Sequence, residues 1–299
     1  MKEPLGRLSE SVQALRNLGD PTRLRLLILL AHGELTVGEI CRILGQSQPR
    51  ISRHLRLLTD AGFLDRFREQ QRVYYRAPAA GPRQGWMREL LAAIDPEDAA
   101  LQRDRVRTSV VVGDRARLAA NELGSGGADG DDAGLALVLR EELGPVALGE
   151  LLDVGTGAGR MLGMLGPRAS HAIGVDLSAP ALRLARARLH GRALAHCEFH
   201  RGDMYALPFA EGSFDTVSLG RVLAGAERPV EVLAEAGRVL RRNGRLLAVE
   251  KFDDVESCTG LNPLQALRQW FDGAGLKVAR LKPCDLESGH YLLALGGRP

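Results

Sequence analysis

Over the first sixty residues, apolar positions recur three and four apart. Leu5, Leu8, Val12, Leu15 and Leu18 predict one amphipathic helix. "GDPTRLRLLILLAHG" predicts a second, with Asp20 as N-cap, Pro21 in the first turn and Gly33 at the exit. "TVGEICRIL" opens with Thr36, followed three residues later by Glu39, the spacing of a capping box, and Gly45 ends that helix. "SQPRISRHLRLLTDAG" starts at once, with Ser47 as N-cap and Pro49 in the first turn, and stops near Gly62. Two short helices across a glycine turn predict a helix-turn-helix. The period then shortens to two: "FLDRFREQQRVYYRA" predicts two strands around a polar tip at Glu69–Gln71. Residues 5–78 therefore read as a mostly α winged helix-turn-helix with a β-wing.

"GWMRELLAAIDPEDAALQRDRVRT" is helical again, interrupted by Pro96. "ELGSGGADGDDAG" gathers glycine and aspartate and predicts a flexible linker. From Gly134 onward strands and helices alternate. A helix over 135–143 precedes the strand "ELLDV", and a helix over 160–165 precedes "HAIGVD". "APALRLARARLH" is helical, "HCEFHRGD" and "FDTVSLG" are strands, and the helix "PVEVLAEAGRVLRR" leads through Asn243–Gly244 to the strand "RLLAVEKF". That alternation predicts an α/β, Rossmann-like parallel sheet. After the helix "LQALRQWFDGAG", the strands "LKVARLKP" and "HYLLALGG" have no helix between them, which predicts a terminal antiparallel strand. The expected organisation is a DNA-binding domain over 1–80, dimerisation or connecting helices over 81–123, a linker over 124–134 and a ligand-binding domain over 135–299.

Composition changes this picture little: 45% apolar and 26% charged residues suit a globular protein. No run of eighteen apolar residues occurs, and "MKEPLGRLSE" lacks the apolar core of a secretory signal, so a cytoplasmic location and no membrane partner are expected. Charge is more informative. Residues 1–80 hold thirteen Lys and Arg against eight Asp and Glu, a balance of +5, while the remainder sums to −2. A polyanion would bind the front quarter. Cys41, Cys197, Cys258 and Cys284 are scattered with no C-x-x-C pair, which argues against both a zinc site and a disulfide framework.

"LLDVGTGAGR" carries the most specific chemistry. Asp153-x-Gly155-x-Gly157-x-Gly159 follows an apolar strand, yet Arg160 stands where a dinucleotide fingerprint needs Gly or Ala. A Walker Lys-Ser/Thr pair is also missing. The loop therefore suits a nucleoside ligand without pyrophosphate. Asp176 ends the next strand, placed to accept both hydroxyls of a ribose. Asp203, with the Met204 amide beside it, ends the third, placed for an adenine amino group.

Together "LLDVGTGAG", "GVDLS", "RGDMYALPF", "GSFDTVSLG" and "AGRVLRRNGRLLAVE" resemble the successive motifs of class I S-adenosylmethionine-dependent methyltransferases. The resemblance covers nearly all of residues 135–299. It implies S-adenosylmethionine or S-adenosylhomocysteine as ligand, held by Asp153, Gly155, Thr156, Gly157, Gly159, Asp176, Leu177, Asp203, Met204 and Leu219.

The front end resembles ArsR-type bacterial repressors in its D-P-T-R-L helix, its S-Q-P-x-I-S-x-H-L-x-x-L helix and its R-x-x-Q-x-V-Y-Y wing. That resemblance implies a homodimer docking the second helix in the major groove of a palindromic operator. Gln46, Ser47, Gln48, Arg50, Ser52, Arg53 and His54 are the candidate base readers. Arg56, Arg68 and Arg72 are candidates for phosphate. The metal-sensing sites of such repressors are not matched: the third helix has only Cys41, and residues 81–134 contain neither His nor Cys. No metal is expected.

Two readings stay open. Fused chains of this type resemble S-adenosylhomocysteine-responsive repressors of methionine-cycle genes; alternatively the chain is an active methyltransferase on a DNA-binding arm. "LGRVLAGAERP" follows the fourth strand with no carboxylate or imidazole before Glu227, "GDRARLAANELGSGG" has no aromatic cover, and "DDVESCTGLNP" is a short insert. Cofactor motifs establish binding rather than turnover, so the sensor reading is preferred and no catalytic residue is assigned. His290 and Tyr205 are the positions that would serve the enzyme reading.

Overall fold

Asp20 separates α1 (Leu8–Leu18) from α2 (Pro21–Leu30) and caps the latter, its carboxylate accepting the Arg23 amide at 3.1 Å. The structure, a computed structural model, describes residues 8–78, 84–123, 132–192, 194 and 196–299. Leu5 of the first predicted helix and residues 124–131 of the predicted linker lie outside the described residues. The chain divides into two units, Met1–Leu118 with Leu189–His196, and Ala119–Arg188 with Cys197–Pro299.

In the first unit, β1 (Leu35–Thr36) leads directly into α3 (Val37–Leu44), which carries the predicted capping box. Glu39 Oε2 accepts the Thr36 amide at 2.7 Å while Thr36 Oγ1 accepts the Glu39 amide at 3.3 Å. Gly45 turns the chain at φ +64° into α4 (Gln48–Asp60). Ser47 stands at the N-cap of α4, but its hydroxyl makes no capping bond. β2 (Asp65–Glu69) and β3 (Arg72–Arg76) form the wing, and the small sheet has the order β1-β3-β2. The wing turns at Gln70, which adopts φ +54°. Leu26, Ile40, Ile43, Ile51, Leu55 and Phe63 are fully buried where α2, α3, α4 and the wing meet. α5 (Gln84–Ala92) ends before Pro96, and α6 (Ala99–Leu123) is one helix of 25 residues, well beyond the Thr108 end that the periodicity suggests. Buried Asp104 takes a two-pronged bond from Arg25, both at 2.6 Å, and buried Arg115 donates to the Glu34 carbonyl at 3.0 Å. These contacts hold α6 as a helix where its own charged sequence gives little apolar face.

In the second unit α7 (Asp132–Leu143) precedes β4 (Gly149–Val154), α8 (Arg160–Leu165), β5 (Ala169–Asp176), α9 (Ala179–Leu189) and β6 (Cys197–Arg201). β7 (Phe214–Gly220), α10 (Pro229–Val239), β8 (Leu240–Lys251), α11 (Phe252–Thr259), α12 (Pro263–Gly273), β9 (Lys277–Leu286) and β10 (Gly289–Gly297) follow. The sheet order is β6-β5-β4-β7-β8-β10-β9, parallel up to β8, with β10 antiparallel to both its neighbours. This is a Rossmann-like α/β fold with a mixed sheet. The strand order reverses at β4, which opens a crevice at the carboxyl ends of β4 and β7, where such sheets bind ligands.

Two predicted elements differ. The helix expected to run to Arg242 stops at Val239, because fully buried Leu240 already pairs with Phe214. Thr216 then pairs with Arg245, so residues between them, including Asn243–Gly244, loop out of β8 as a bulge. The short "DDVESCTGLNP" insert holds α11, which buries Val255 against the sheet. Among the described residues no helix is long and apolar enough to cross a membrane.

Candidate functional site

The turn after β4 has the backbone that glycine adopts at least cost. Gly155, Gly157 and Gly159 all adopt left-handed φ, at +65°, +54° and +77°. A Cβ on Gly155 would meet Val222 Cγ2 at 2.6 Å, so one side of the loop is sealed by the segment after β7. A Cβ on Gly157 would meet nothing nearer than the Gly155 carbonyl at 3.9 Å, so that side is open to a ligand.

Three aspartates stand at the carboxyl ends of adjoining strands, and each does something different. Asp153 is the penultimate residue of β4, Asp176 is the last of β5, and Asp203 lies two residues past β6, which stops at Arg201 rather than at the expected aspartate. Asp153 is buried and turned inward: it accepts the Thr156 hydroxyl at 2.6 Å and the Ser218 hydroxyl at 2.7 Å. Burial pushes its carboxyl up to about 6, against the pull of those two hydroxyls. Asp176 is half-buried and accepts the Gly157 amide and the Ser178 amide, each at 2.8 Å. A carboxylate has about four acceptor positions, so two remain for a ligand. Asp203 is exposed and accepts the Tyr205 amide at 2.9 Å, holding the turn after β6.

The other sequence-derived ligand residues spread around this edge. Leu177 is 60% exposed, whereas Leu219 is fully buried and offers the crevice only its backbone. Met204 is partly buried against the core. Asp153, Gly155 and Thr156 line one small cavity of about 40 Å³, together with Arg160, Arg221 and Tyr291. The last three were not read from the sequence as ligand residues. Arg160 appeared only as a misfit to the dinucleotide pattern, and nothing local marks Tyr291.

In the first unit α4 buries Ile51, Leu55 and Leu58 and turns Gln48, Arg50, Arg53 and Arg56 to solvent. Ser47 is exposed beside them, as are Arg68 and Arg72 on the wing; Ser52 is half-buried. Two candidates face inward. Gln46 donates to Thr22 Oγ1 at 3.3 Å, and His54 Nδ1 lies 3.9 Å from Asp20. Burial, with Arg23, Arg50 and Arg53, holds the His54 imidazole below its usual value against the pull of Asp20. Arg68 donates to the Gln70 carbonyl at 2.8 Å, which fixes the wing tip.

Residues 20–66 match the family model described as bacterial regulatory protein, arsR family, and residues 152–248 match that described as a methyltransferase domain. One chain carries an arsR-family segment and a methyltransferase domain. The arsenical resistance operon repressor of Escherichia coli is 46% identical over 66 residues, covering 22% of this chain and 56% of that protein. The demethylmenaquinone methyltransferase of Lactococcus lactis is 41% identical over 78 residues, covering 26% of this chain and 31% of that protein. The chain thus spans about a third to just over half the length of these curated relatives. A crystal structure of a SAM-dependent methyltransferase from Aquifex aeolicus superposes with a TM-score of 0.47 at 16% identity, covering 62% of this chain and 97% of that one.

In the methyltransferase domain the segment after β7 is tied from beneath. Glu250, fully buried on β8, accepts the amides of Val222 at 2.8 Å, Leu223 at 2.7 Å and Ala224 at 3.4 Å. Burial raises its carboxyl to about 7, against those three donors. A carboxylate does therefore reach this segment, from β8, and it is spent on backbone. His290 does not reach the cavity: it is exposed, paired with Asp285 at 2.6 Å, while the next residue, Tyr291, points to the other face. Tyr205 Oη accepts the Arg228 amide at 3.3 Å, and its ring lies 4.6 Å beneath the Arg228 guanidinium.

Proposed function

We propose that this protein is a ligand-responsive transcriptional repressor. Its arsR-family unit binds a palindromic operator as a homodimer, and its methyltransferase domain senses S-adenosylhomocysteine or S-adenosylmethionine to control methionine-cycle genes. The observation that carries this reading is the contrast at the carboxyl edge of the sheet. Asp176 and the open side of Gly157 suit a nucleoside, while Glu250, the buried carboxylate beneath the segment after β7, is consumed by backbone amides, and Asp254 at the same segment pairs with Arg221. The residues fit an adenosyl ligand, with Asp176 as the ribose acceptor and Asp203 with the Met204 amide for the base. When bound, S-adenosylmethionine would supply an electrophilic methyl group.

The name of the Escherichia coli relative, an operon repressor, supports a repressor role for the front unit. Gln48, Arg50 and Arg53 carry the side-chain types that pair with adenine and guanine edges. Exposed apolar stripes support a dimer: Leu8 (82% exposed), Val12 and Leu15 lie along one face of α1, and Val106 and Val110 along α6. The enzyme reading has one support of its own, the methyltransferase names of relatives such as that of Lactococcus lactis.

A ligand shifts DNA affinity only through its preference between two protein arrangements, commonly about 1–3 kcal/mol. We expect S-adenosylhomocysteine to release the operator, and linkage then requires the operator to weaken S-adenosylhomocysteine binding by the same factor. Calorimetry with both ligands, with and without saturating operator, tests this. Equal affinities in both conditions would exclude the sensor reading. Transfer of labelled methyl to an acceptor, abolished by Asp176→Ala, would establish the enzyme instead.

A further inference from the structure

Arg160 begins α8 directly after the glycine loop and lines the cavity of about 40 Å³ beside Gly155. By the same kind of volume a single water needs about 10–15 Å³, so the space suits a group the size of a carboxylate rather than a nucleoside. The surrounding charge is mixed: the buried carboxylate of Asp153 lines the cavity alongside two arginines, turned to the Thr156 and Ser218 hydroxyls. Arg221 lines the cavity, 3.6 Å from Asp254, and Lys251 Nζ lies 5.8 Å from the centre of the Tyr291 ring. Tyr291 is almost fully buried, with its hydroxyl 3.2 Å from Ser288 Oγ.

The bonding of Arg160 is incomplete. Its Nε donates to Asp132, the first residue of α7, and the Tyr291 hydroxyl faces the guanidinium, while Nη2 is enclosed with no hydrogen-bond partner of good geometry among the described residues. The side chains are unequally placed: Arg160 is 19% exposed and Asp132 54%. A guanidinium presents five donors in a fork matched to a two-oxygen acid. An ion pair with one partner half in solvent is weak and exchanges readily. Leu135, one turn further along α7, lines the same cavity.

We propose that Arg160, with Tyr291 and Arg221, is the seat for a ligand carboxylate, and that Asp132 is an internal competitor which the ligand displaces. The carboxylate has two sources: the amino-acid end of an adenosyl ligand, in which case the inference rests on the reading above, or a separate small acid. Either way the exchange frees the first turn of α7, the element that follows α6 and residues 124–131 along the chain. Occupancy of the cavity is thereby converted into release of a helix end.

The test uses the full chain and three probes: S-adenosylhomocysteine, 5′-methylthioadenosine (the nucleoside without the carboxylate) and L-methionine (a carboxylate without the nucleoside). Asp132→Asn keeps the helix start and removes the competing charge. It is expected to tighten S-adenosylhomocysteine binding about fivefold or more while leaving 5′-methylthioadenosine within twofold. Arg160→Gln is expected to weaken S-adenosylhomocysteine about tenfold and spare 5′-methylthioadenosine, with Arg160→Lys recovering part of the loss. Equal effects of Asp132→Asn on both nucleosides, or none on either, overturn the competitor. If neither nucleoside binds the wild-type chain, the adenosyl reading has failed on its own, and L-methionine decides. Tighter binding to Asp132→Asn than to wild type supports a separate acid, and no binding to either overturns the seat.

Discussion

The carboxylate of Asp176, at the end of β5, accepts the amide of Gly157 in the loop after β4 across 2.8 Å. One side chain thus both fixes the shape of the glycine turn and offers its remaining lone pairs to the crevice. Asp176→Ala is expected to cost about 1–3 kcal/mol of stability through unpaired donors, and about 2–4 kcal/mol of adenosyl-ligand binding. Calorimetry and denaturant unfolding separate the two effects. Unchanged affinity for every adenosine-containing ligand would remove Asp176 from the site.

Arg53 stands exposed on α4, beyond the buried Ile51 and Leu55 that seat the helix. Arg53→Ala is expected to weaken binding to the specific operator by about 1–3 kcal/mol and to leave random-sequence DNA much less affected. Titrations of both DNAs at one salt concentration check this. An equal loss on both would make Arg53 a phosphate contact.

Gly155→Ala sets a Cβ against Val222 on a backbone at φ +65°. Overpacking and left-handed strain together should destabilise the domain by about 1–3 kcal/mol. The double variant with Val222→Ala should recover the steric part and keep the strain. A double-mutant cycle from thermal or urea unfolding reads the coupling, and strictly additive effects would show that the contact is not what excludes the methyl.

Glu250 makes stability depend on pH in an unusual sense. Its folded pKa, about 7, lies above the ordinary 4.5, so the folded protein holds the proton more tightly. The associated stability is fully present below about pH 4.5 and is lost as pH rises through about 7, a loss of about 1–3 kcal/mol. Buried Asp153, also raised, acts in the same direction, as does His171, whose pKa Glu198 and Glu150 raise against its burial. Glu250→Gln is expected to flatten the fall in stability between pH 5 and 8 without abolishing it. Urea unfolding at several pH values measures the slope, and an unaltered slope would assign the titration to other groups.

Much of this chain was legible locally. Asp20, the Thr36–Glu39 box, Gly45 and the glycines at 155, 157 and 159 each specify backbone over a few residues, and the structure uses each of them in that way. The switch from helical to alternating period also marked the wing and the βα alternation, because burial of one face imposes those periods on neighbouring residues. The ends of α10 and α6 were less legible, since their limits depend on distant partners: Phe214 pairs with Leu240, and Arg115, beyond Thr108, donates to the Glu34 carbonyl. The site divides in the same way. Spacing alone found the three strand-end aspartates, but their orientations were settled elsewhere. Asp153 turns inward because Ser218 on β7 lies beside it, and Glu250 is drawn under Val222 and Leu223 because β8 is the neighbour of β7. His290 and Tyr291 are adjacent in sequence, yet register places only Tyr291 against Arg160 and the cavity. Turns and caps are made from atoms a few bonds apart and can be read along the chain. The partners of a buried charge are set by strand order and register, which exist only once distant segments have packed.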